Sequence, residues 1–200
     1  MTKIRTGQAP PPLTRAQFQE RFHSPTEPAR QAAQGTAHEV NSPHPLTNGV
    51  TMTEKSASVM WNGAGKTGLG MISTGSGALM DYPYGFASRF GDDRRGTNPE
   101  EILAAAHAAC FTMAFSFACE KAGFATRTID TQADVRLSAQ GEGFVIDRIA
   151  LRLRAAVPGI DETRFQAIAA AAKHDCPLSR ALASVPEITL VATLDVDAQP

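Results

Sequence analysis

Past Ser56 the chain alternates apolar and polar positions in ways that predict its elements. Val59 and Trp61, followed by Leu69-Gly70-Met71-Ile72, are short apolar runs broken by glycine, which predicts strands in a hairpin or meander. Asp81 to Phe86 reads as an aromatic loop, and Gly91 to Gly96 as a polar turn. From Ile102 to Cys119 no side chain is formally charged. This run has a well-marked start: Asn98 can cap, Pro99 takes the first helical position and Glu101 falls three after the cap. Gly123 is a usual stop, so a helix is predicted to about Lys121.

Ile129, Thr131, Ala133, Val135 and Leu137 alternate with Asp130, Gln132, Asp134 and Arg136, the period of a half-buried strand. Ile149, Leu151 and Leu153 alternate in the same way with Arg148, Arg152 and Arg154. Pro158-Gly159 breaks the chain, and Asp161 opens an Ala-rich helix to about Lys173. A short helix after Cys176-Pro177 and a strand carrying Ile188, Leu190, Ala192 and Leu194 complete the order. Strands, long helix, two strands, helix and strand predict an α+β domain with a mostly antiparallel sheet around a long central helix.

Residues 1–53 depart from this pattern. Seven of the 13 prolines fall there, among Thr, Gln, Ser and Asn, a composition that buries too little apolar surface to offset chain entropy. Thr14 could cap a short helix carrying Phe18 and Phe22 at i, i+4. A flexible Pro-rich extension is favoured over an arm docked on a subunit surface, leaving 54–200 as the folded domain.

A formal net charge of −1 offers no field for steering toward nucleic acid or an anionic membrane. The run from Ile102 to Cys119 is about long enough to cross a bilayer. Its His107, Thr112 and Ser116 and its flanking Glu101 and Glu120 favour a core helix, apolar all round, over a membrane span. Met1-Thr2-Lys3-Ile4-Arg5 leads into no apolar segment, so no signal peptide and a cytoplasmic location are expected. The three cysteines make an odd count, unlike a secreted disulfide framework.

Those cysteines carry the candidate chemistry. Cys110 and Cys119 are nine positions apart and face opposite sides of one helix; Cys119, beside Phe117 and Ala118, reads as a small buried hydrophobe. Cys110 is mid-helix, beyond reach of the helix dipole, so its thiolate needs a cation. Cys176, just before Pro177, lies near a helix N-terminus that favours an anion. On residues alone, simple packing stays open beside a two-cysteine redox pair. A cysteine hydrolase using Cys110 with His107 or His174 is a rival, but no local motif supplies an oxyanion hole. A zinc module of His107, Cys110, His174 and Cys176 is another, without the paired short spacing of most such sites. Neither a metal nor a cofactor is expected, and His107 reads most simply as a hydrogen-bonded core residue.

Several runs resemble the OsmC/Ohr family, named for osmotically inducible protein C and organic hydroperoxide resistance proteins. They are Tyr84-Gly85-Phe86 with Arg89-Phe90, Gly96-Thr97-Asn98-Pro99-Glu100-Glu101, Ala105-Ala106-His107-Ala108-Ala109-Cys110-Phe111, Val157-Pro158-Gly159-Ile160-Asp161 and Cys176-Pro177-Leu178-Ser179. The likeness runs from Lys55 to Leu194 and is strongest to the OsmC branch. It implies a cysteine-based thiol peroxidase, an intertwined homodimer, that reduces organic hydroperoxides and also hydrogen peroxide. Cys110 then matches the peroxidatic cysteine, Cys176 the resolving one, Glu100 the acidic partner and Arg89 the active-site arginine, with Arg94 and Arg95 as alternatives. The resemblance further implies a Cys110–Cys176 disulfide and an external dithiol reductant of lipoyl type. Tyr82, Tyr84, Phe86, Phe111 and Phe115 are the expected apolar substrate pocket, with ordinary core as the other reading of each. A redox-sensing or binding member of the same fold without turnover, or the hydrolase, are the remaining alternatives. Ten helical residues separate Glu100 from Cys110, roughly 15 Å of rise, so Glu100 is expected to serve the partner's site across the dimer.

Overall fold

The computed structural model describes residues 53–91 and 95–195. The expectations for the N-terminal extension, its Thr14 helix, and Arg94 lie outside the described residues. The chain divides into two compact units, one reaching Phe86 and the other beginning at Ala87.

In the first unit, β1 (Ala57–Asn62), β2 (Leu69–Thr74) and β3 (Tyr82–Gly85) form an antiparallel meander. The predicted aromatic loop is therefore half wrong: its middle is a strand, and Phe86–Phe90 forms a short helix, α1. Pro83 and Gly85 both signal a turn, but Pro83 pairs with Met71 on the edge of the sheet, where a missing N–H is tolerated. Asp81, entering β3, takes φ +49. Ser73 Oγ accepts from the Asp81 N–H at 3.0 Å and donates to Asp81 Oδ1 at 3.2 Å, local bonds that suit a short polar residue in this left-handed region.

Gly70 faces Tyr84 across the sheet, and the Tyr84 ring occupies the space a Cβ on Gly70 would need. That ring also lies 5.4 Å from the Trp61 ring, tilted by 54°. Gly70→Ala is therefore expected to expel Tyr84 from its place. Trp61 is the single tryptophan, so its fluorescence reads the change directly; a Gly70→Ala spectrum identical to wild type would contradict this packing.

The second unit is built on α2 (Pro99–Lys121). Asn98 Oδ1 accepts from the Glu101 N–H at 2.8 Å, and Gly123 ends the helix region at φ +87, as the sequence predicts. Strands β4 (Thr128–Gln140) and β5 (Gly143–Ala156) form a long antiparallel hairpin. The first half of β5 escapes the sequence pattern because Asp147 is a bulge: Arg136 pairs with Arg148 but Leu137 with Ile146. Arg136 Nε donates to Asp147 Oδ1 at 2.7 Å across that bulge, and this bond holds the Asp147 carboxyl below its usual range.

Helix α3 (Glu162–Asp175) starts at Asp161, whose Oδ1 accepts from the Arg164 N–H at 2.8 Å. It is followed by α4 (Pro177–Ala181) and β6 (Glu187–Leu194). β6 pairs with β5 in parallel, the result of a helical crossover between them. The sheet of the second unit is thus mixed, whereas the meander is wholly antiparallel.

Helix α2 buries one stripe, His107, Phe111, Phe115 and Cys119, residues four apart on one face. This stripe meets Leu151 and Leu153 of β5 and Phe165, Ala169 and Ala172 of α3 in one core. Phe115 and Phe165 pack edge to face at 5.5 Å. The expectation of a helix buried all round holds on that side only: Met113 and Phe117 are 60% and 63% exposed. By length and composition α2 is also apolar enough to cross a membrane, although its buried stripe serves a protein core.

Candidate active site

Two elements bring the cysteines together. Cys110 projects from the middle of α2, half-buried. Cys176, with no exposed surface, is at once the C-cap of α3 and the N-cap of α4. Its N–H donates to the Ala172 carbonyl at 2.9 Å, and its carbonyl accepts from the Arg180 N–H at 3.0 Å. Pro177 bars the helical conformation to the residue before it, and Cys176 sits at φ −55, ψ 122. The break between α3 and α4 thus falls at the thiol.

The two sulfurs are 3.4 Å apart, Cys176 donating to Cys110, and both thiols are free. A disulfide requires about 2.05 Å between sulfurs, so a closure of about 1.3 Å would join them. Burial pushes the Cys110 thiol above its ordinary range; the Leu178 backbone N–H opposes this, and the Cys176 thiol adds to it. No cation figures among these influences, so the described chain leaves the thiolate of Cys110 without the positive partner it needs. Cys119 has zero exposure, and burial pushes it up to about 11, as befits an inert core residue.

Arg89 and Glu100 form a separate cluster. Arg89 Nη2 donates to Glu100 Oε1 at 2.6 Å and Nε lies 3.1 Å from both carboxylate oxygens, a forked pair that fixes the guanidinium plane. The Arg89 guanidinium lies 5.2 Å from the centre of the Phe90 ring, and that ring packs 4.9 Å from Phe144 of β5. A cleft of about 470 Å³ opens here, lined by Arg89, Asn98, Glu100, Ala104 and Arg136 among others. Glu100 and Cys110 both belong to the intact α2, which keeps them roughly 15 Å apart along its axis. The structure therefore joins the candidate residues in two pairs, Cys110 with Cys176 and Arg89 with Glu100, and does not join the pairs within one chain.

The aromatic candidates part company. Phe111 and Phe115 have zero exposure in the core, so neither offers surface to a substrate in the single chain; their i, i+4 spacing serves packing. Tyr82 and Phe86 are exposed and Tyr84 is half-buried on the first unit. His107 Nε2 bonds Ser179 Oγ at 2.9 Å, a buried contact that the sequence reading missed, although both residues stand in the runs that carry the family resemblance. Burial pushes the His107 pKa down, so the ring is neutral. His174 pairs with Asp175 at the surface. Among the described residues, no three His, Cys, Asp or Glu side chains gather where they could hold a metal, so the four candidate zinc ligands are not assembled.

A family model described as OsmC-like protein matches residues 91–191. The chain is also 49% identical to "Peroxiredoxin OsmC" of Escherichia coli (strain K12) over 136 residues, covering 68% of this chain and 93% of that protein. The chain belongs to the OsmC family. It is 33% identical over 98 residues to an "Organic hydroperoxide resistance protein" of Xanthomonas axonopodis pv. citri, covering 48% of this chain and 66% of the other. Among solved structures, Bacillus subtilis OhrB, an organic hydroperoxide resistance protein, matches with a TM-score of 0.50 at 25% identity, covering 70% of this chain and 98% of that one. An organic hydroperoxide resistance protein from Elizabethkingia anophelis gives a TM-score of 0.58 at 22% identity over 73% and 99% of the two chains. The α+β fold described above, with an antiparallel meander in one unit and a mixed sheet packed on a long helix in the other, is the fold these structures share.

Proposed function

We propose that this OsmC-family chain is a thiol peroxidase that reduces organic hydroperoxides, and hydrogen peroxide, through Cys110 and Cys176. The observation that carries this reading is the 3.4 Å contact between two free thiols from residues 66 positions apart. The names of the relatives, a peroxiredoxin and organic hydroperoxide resistance proteins, support the substrate class.

The chemistry balances in two steps. Cys110 thiolate attacks the distal peroxide oxygen; the O–O bond breaks, the alkoxide leaves and takes a proton, and Cys110 becomes a sulfenic acid. Cys176 then attacks the sulfenic sulfur; the S–S bond forms, the S–O bond breaks, and water leaves with the Cys176 proton. An external dithiol, of lipoyl type in this proposal, reduces the disulfide and restores both thiols. Tyr82, Tyr84 and Phe86 are the proposed apolar contacts for the organic part of the substrate.

A homodimer completes the proposal. Met113 and Phe117 on the outer face of α2 are apolar surface that a second copy would cover. Arg89, held by Glu100, would then supply the missing cation to the partner subunit's peroxidatic thiol. There it would favour the thiolate and stabilise charge developing on the leaving alkoxide.

Turnover tests the reading. Cumene hydroperoxide supplied with a lipoyl dithiol should be consumed catalytically, many equivalents per subunit. Consumption that stops after one equivalent, with the dithiol in excess, would leave a redox sensor rather than a peroxidase.

A further inference from the structure

We propose that the buried His107–Ser179 hydrogen bond positions Cys176 for its attack on oxidised Cys110, which makes both positioning residues for the disulfide-forming step. This inference rests on Cys110 and Cys176 being the peroxidatic and resolving thiols.

The two contacts form neighbouring rungs between the same two elements. His107 precedes Cys110 by three positions on α2, and Ser179 follows Cys176 by three positions in and before α4. Residues three apart on a helix share a face. One rung is the thiol pair at 3.4 Å; the other is His107 Nε2 to Ser179 Oγ at 2.9 Å. His107 is fully buried and Ser179 is 9% exposed, so this bond acts in a low dielectric, where it is strong and directional.

Helix α4 depends on such an anchor. It has five residues, and its N-cap makes no side-chain capping bond. A single helical turn has too few internal bonds to hold itself. Its place against α2 must come from tertiary contacts, and His107–Ser179 is a buried side-chain bond among them.

His107 also carries an unmet requirement. Its Nδ1 is buried with no hydrogen-bond partner among the described residues. An orphaned N–H is harder to tolerate than an orphaned lone pair, which places the ring proton on Nε2, donating to Ser179 Oγ. The neutral ring that burial enforces suits this single-donor role. An apolar side chain would avoid the orphaned nitrogen but would lose the rung.

The role falls mainly on the second step, since α4 gives the first only the Leu178 N–H beside Cys110. Peroxide meets Cys110 whether or not α4 is held in register. Closing the sulfurs from 3.4 Å to about 2.05 Å needs Cys176 aimed at the sulfenic sulfur. If α4 slides, the sulfenic acid waits. A second hydroperoxide then transfers an oxygen to it, giving Cys110 sulfinic acid and a further alcohol.

Quenched-flow intact-mass analysis with cumene hydroperoxide separates the steps, using Ser179→Ala, His107→Leu and His107→Gln beside wild type. His107→Gln keeps an N–H donor at a reach similar to that of Nε2. Ser179→Ala and His107→Leu should lose the first equivalent of peroxide at a rate within about twofold of wild type. They should close the disulfide about tenfold more slowly, the scale of one lost buried hydrogen bond. They should also accumulate sulfinic acid, a gain of about 32 Da, while His107→Gln recovers most of the closure rate. Closure at the wild-type rate in both variants would overturn the positioning role and leave the peroxidase reading intact. Equal slowing of both steps would also overturn it, since that marks general structural damage. If wild type itself forms no Cys110–Cys176 disulfide, the peroxidase reading fails first and the positioning role falls with it.

Discussion

Cys110→Ser is expected to lower hydroperoxide consumption to the rate of the reductant alone, a loss of about 10³-fold or more. The change replaces a polarizable sulfur with a weakly nucleophilic hydroxyl and alters almost nothing else. Cys110 is half-buried beside Cys176 and receives the Leu178 N–H, and serine fits the same slot. Stability should stay within about 1 kcal/mol of wild type, so lost activity would not report lost fold. No other thiol can take over. Cys119 is pushed up to about 11, leaving a thiolate fraction near neutral pH on the order of one in ten thousand. Cys176 has no exposed surface through which to meet peroxide. Retention of a tenth of the wild-type rate would mean that the wrong sulfur has been assigned.

Arg89→Ala is expected to slow the peroxide step by about 10²-fold at pH 7, the scale of a removed charge stabiliser, and to move its pH midpoint upward. The sign follows from the thiol. Burial and the Cys176 neighbour both raise Cys110, and among the described residues the opposing influence is the Leu178 backbone N–H. A guanidinium beside the thiolate lowers its pKa, so removing it raises the midpoint, and alkaline pH restores part of the rate. A midpoint that stays in place would exclude Arg89 from the site.

The same variant tests the subunit that supplies the arginine. Arg89→Ala and Cys110→Ser homodimers are each expected to be nearly inactive. If Arg89 acts across the dimer, a mixed dimer holds one complete site, with Cys110 from one chain and Arg89 from the other. Subunit exchange at equal concentrations should then recover about a quarter of wild-type activity, because half the dimers are mixed and each has one working site of two. Were Arg89 to act within its own chain, no mixture would recover anything. The α2 rise between Glu100 and Cys110 favours recovery.

The ends of α2 were legible in the sequence because they rest on local chemistry: the Asn98 cap, Pro99 and the positive φ of Gly123. Strand β3 was not, since Pro83 and Gly85 carry turn signals that an edge strand overrides. The Asp147 bulge broke the alternation that reveals β5. The parallel pairing of β6 was hidden because periodicity shows which face is buried, not the direction of the neighbouring strand.

The site divides along the same line. Cys110 and Cys176 each stand in a readable local setting, but nothing local places two thiols 66 positions apart at 3.4 Å; family resemblance supplied that pairing. Phe111 and Phe115 show the converse. Their spacing suits a pocket wall as well as a core stripe, and only packing against β5 and α3 decides for the core. Ser179 as the partner of His107 had no signal in spacing, because the contact spans 72 positions.

The most direct measurement is the intact mass of the reduced protein after one equivalent of cumene hydroperoxide, with Cys176→Ser alongside. The account predicts a loss of about 2 Da in wild type, as two thiol hydrogens leave for the disulfide, and a gain of about 16 Da in the variant, as the Cys110 sulfenic acid is stranded. No mass change in either protein, with Cys110 and Cys176 confirmed as free thiols beforehand, would contradict the two-cysteine mechanism.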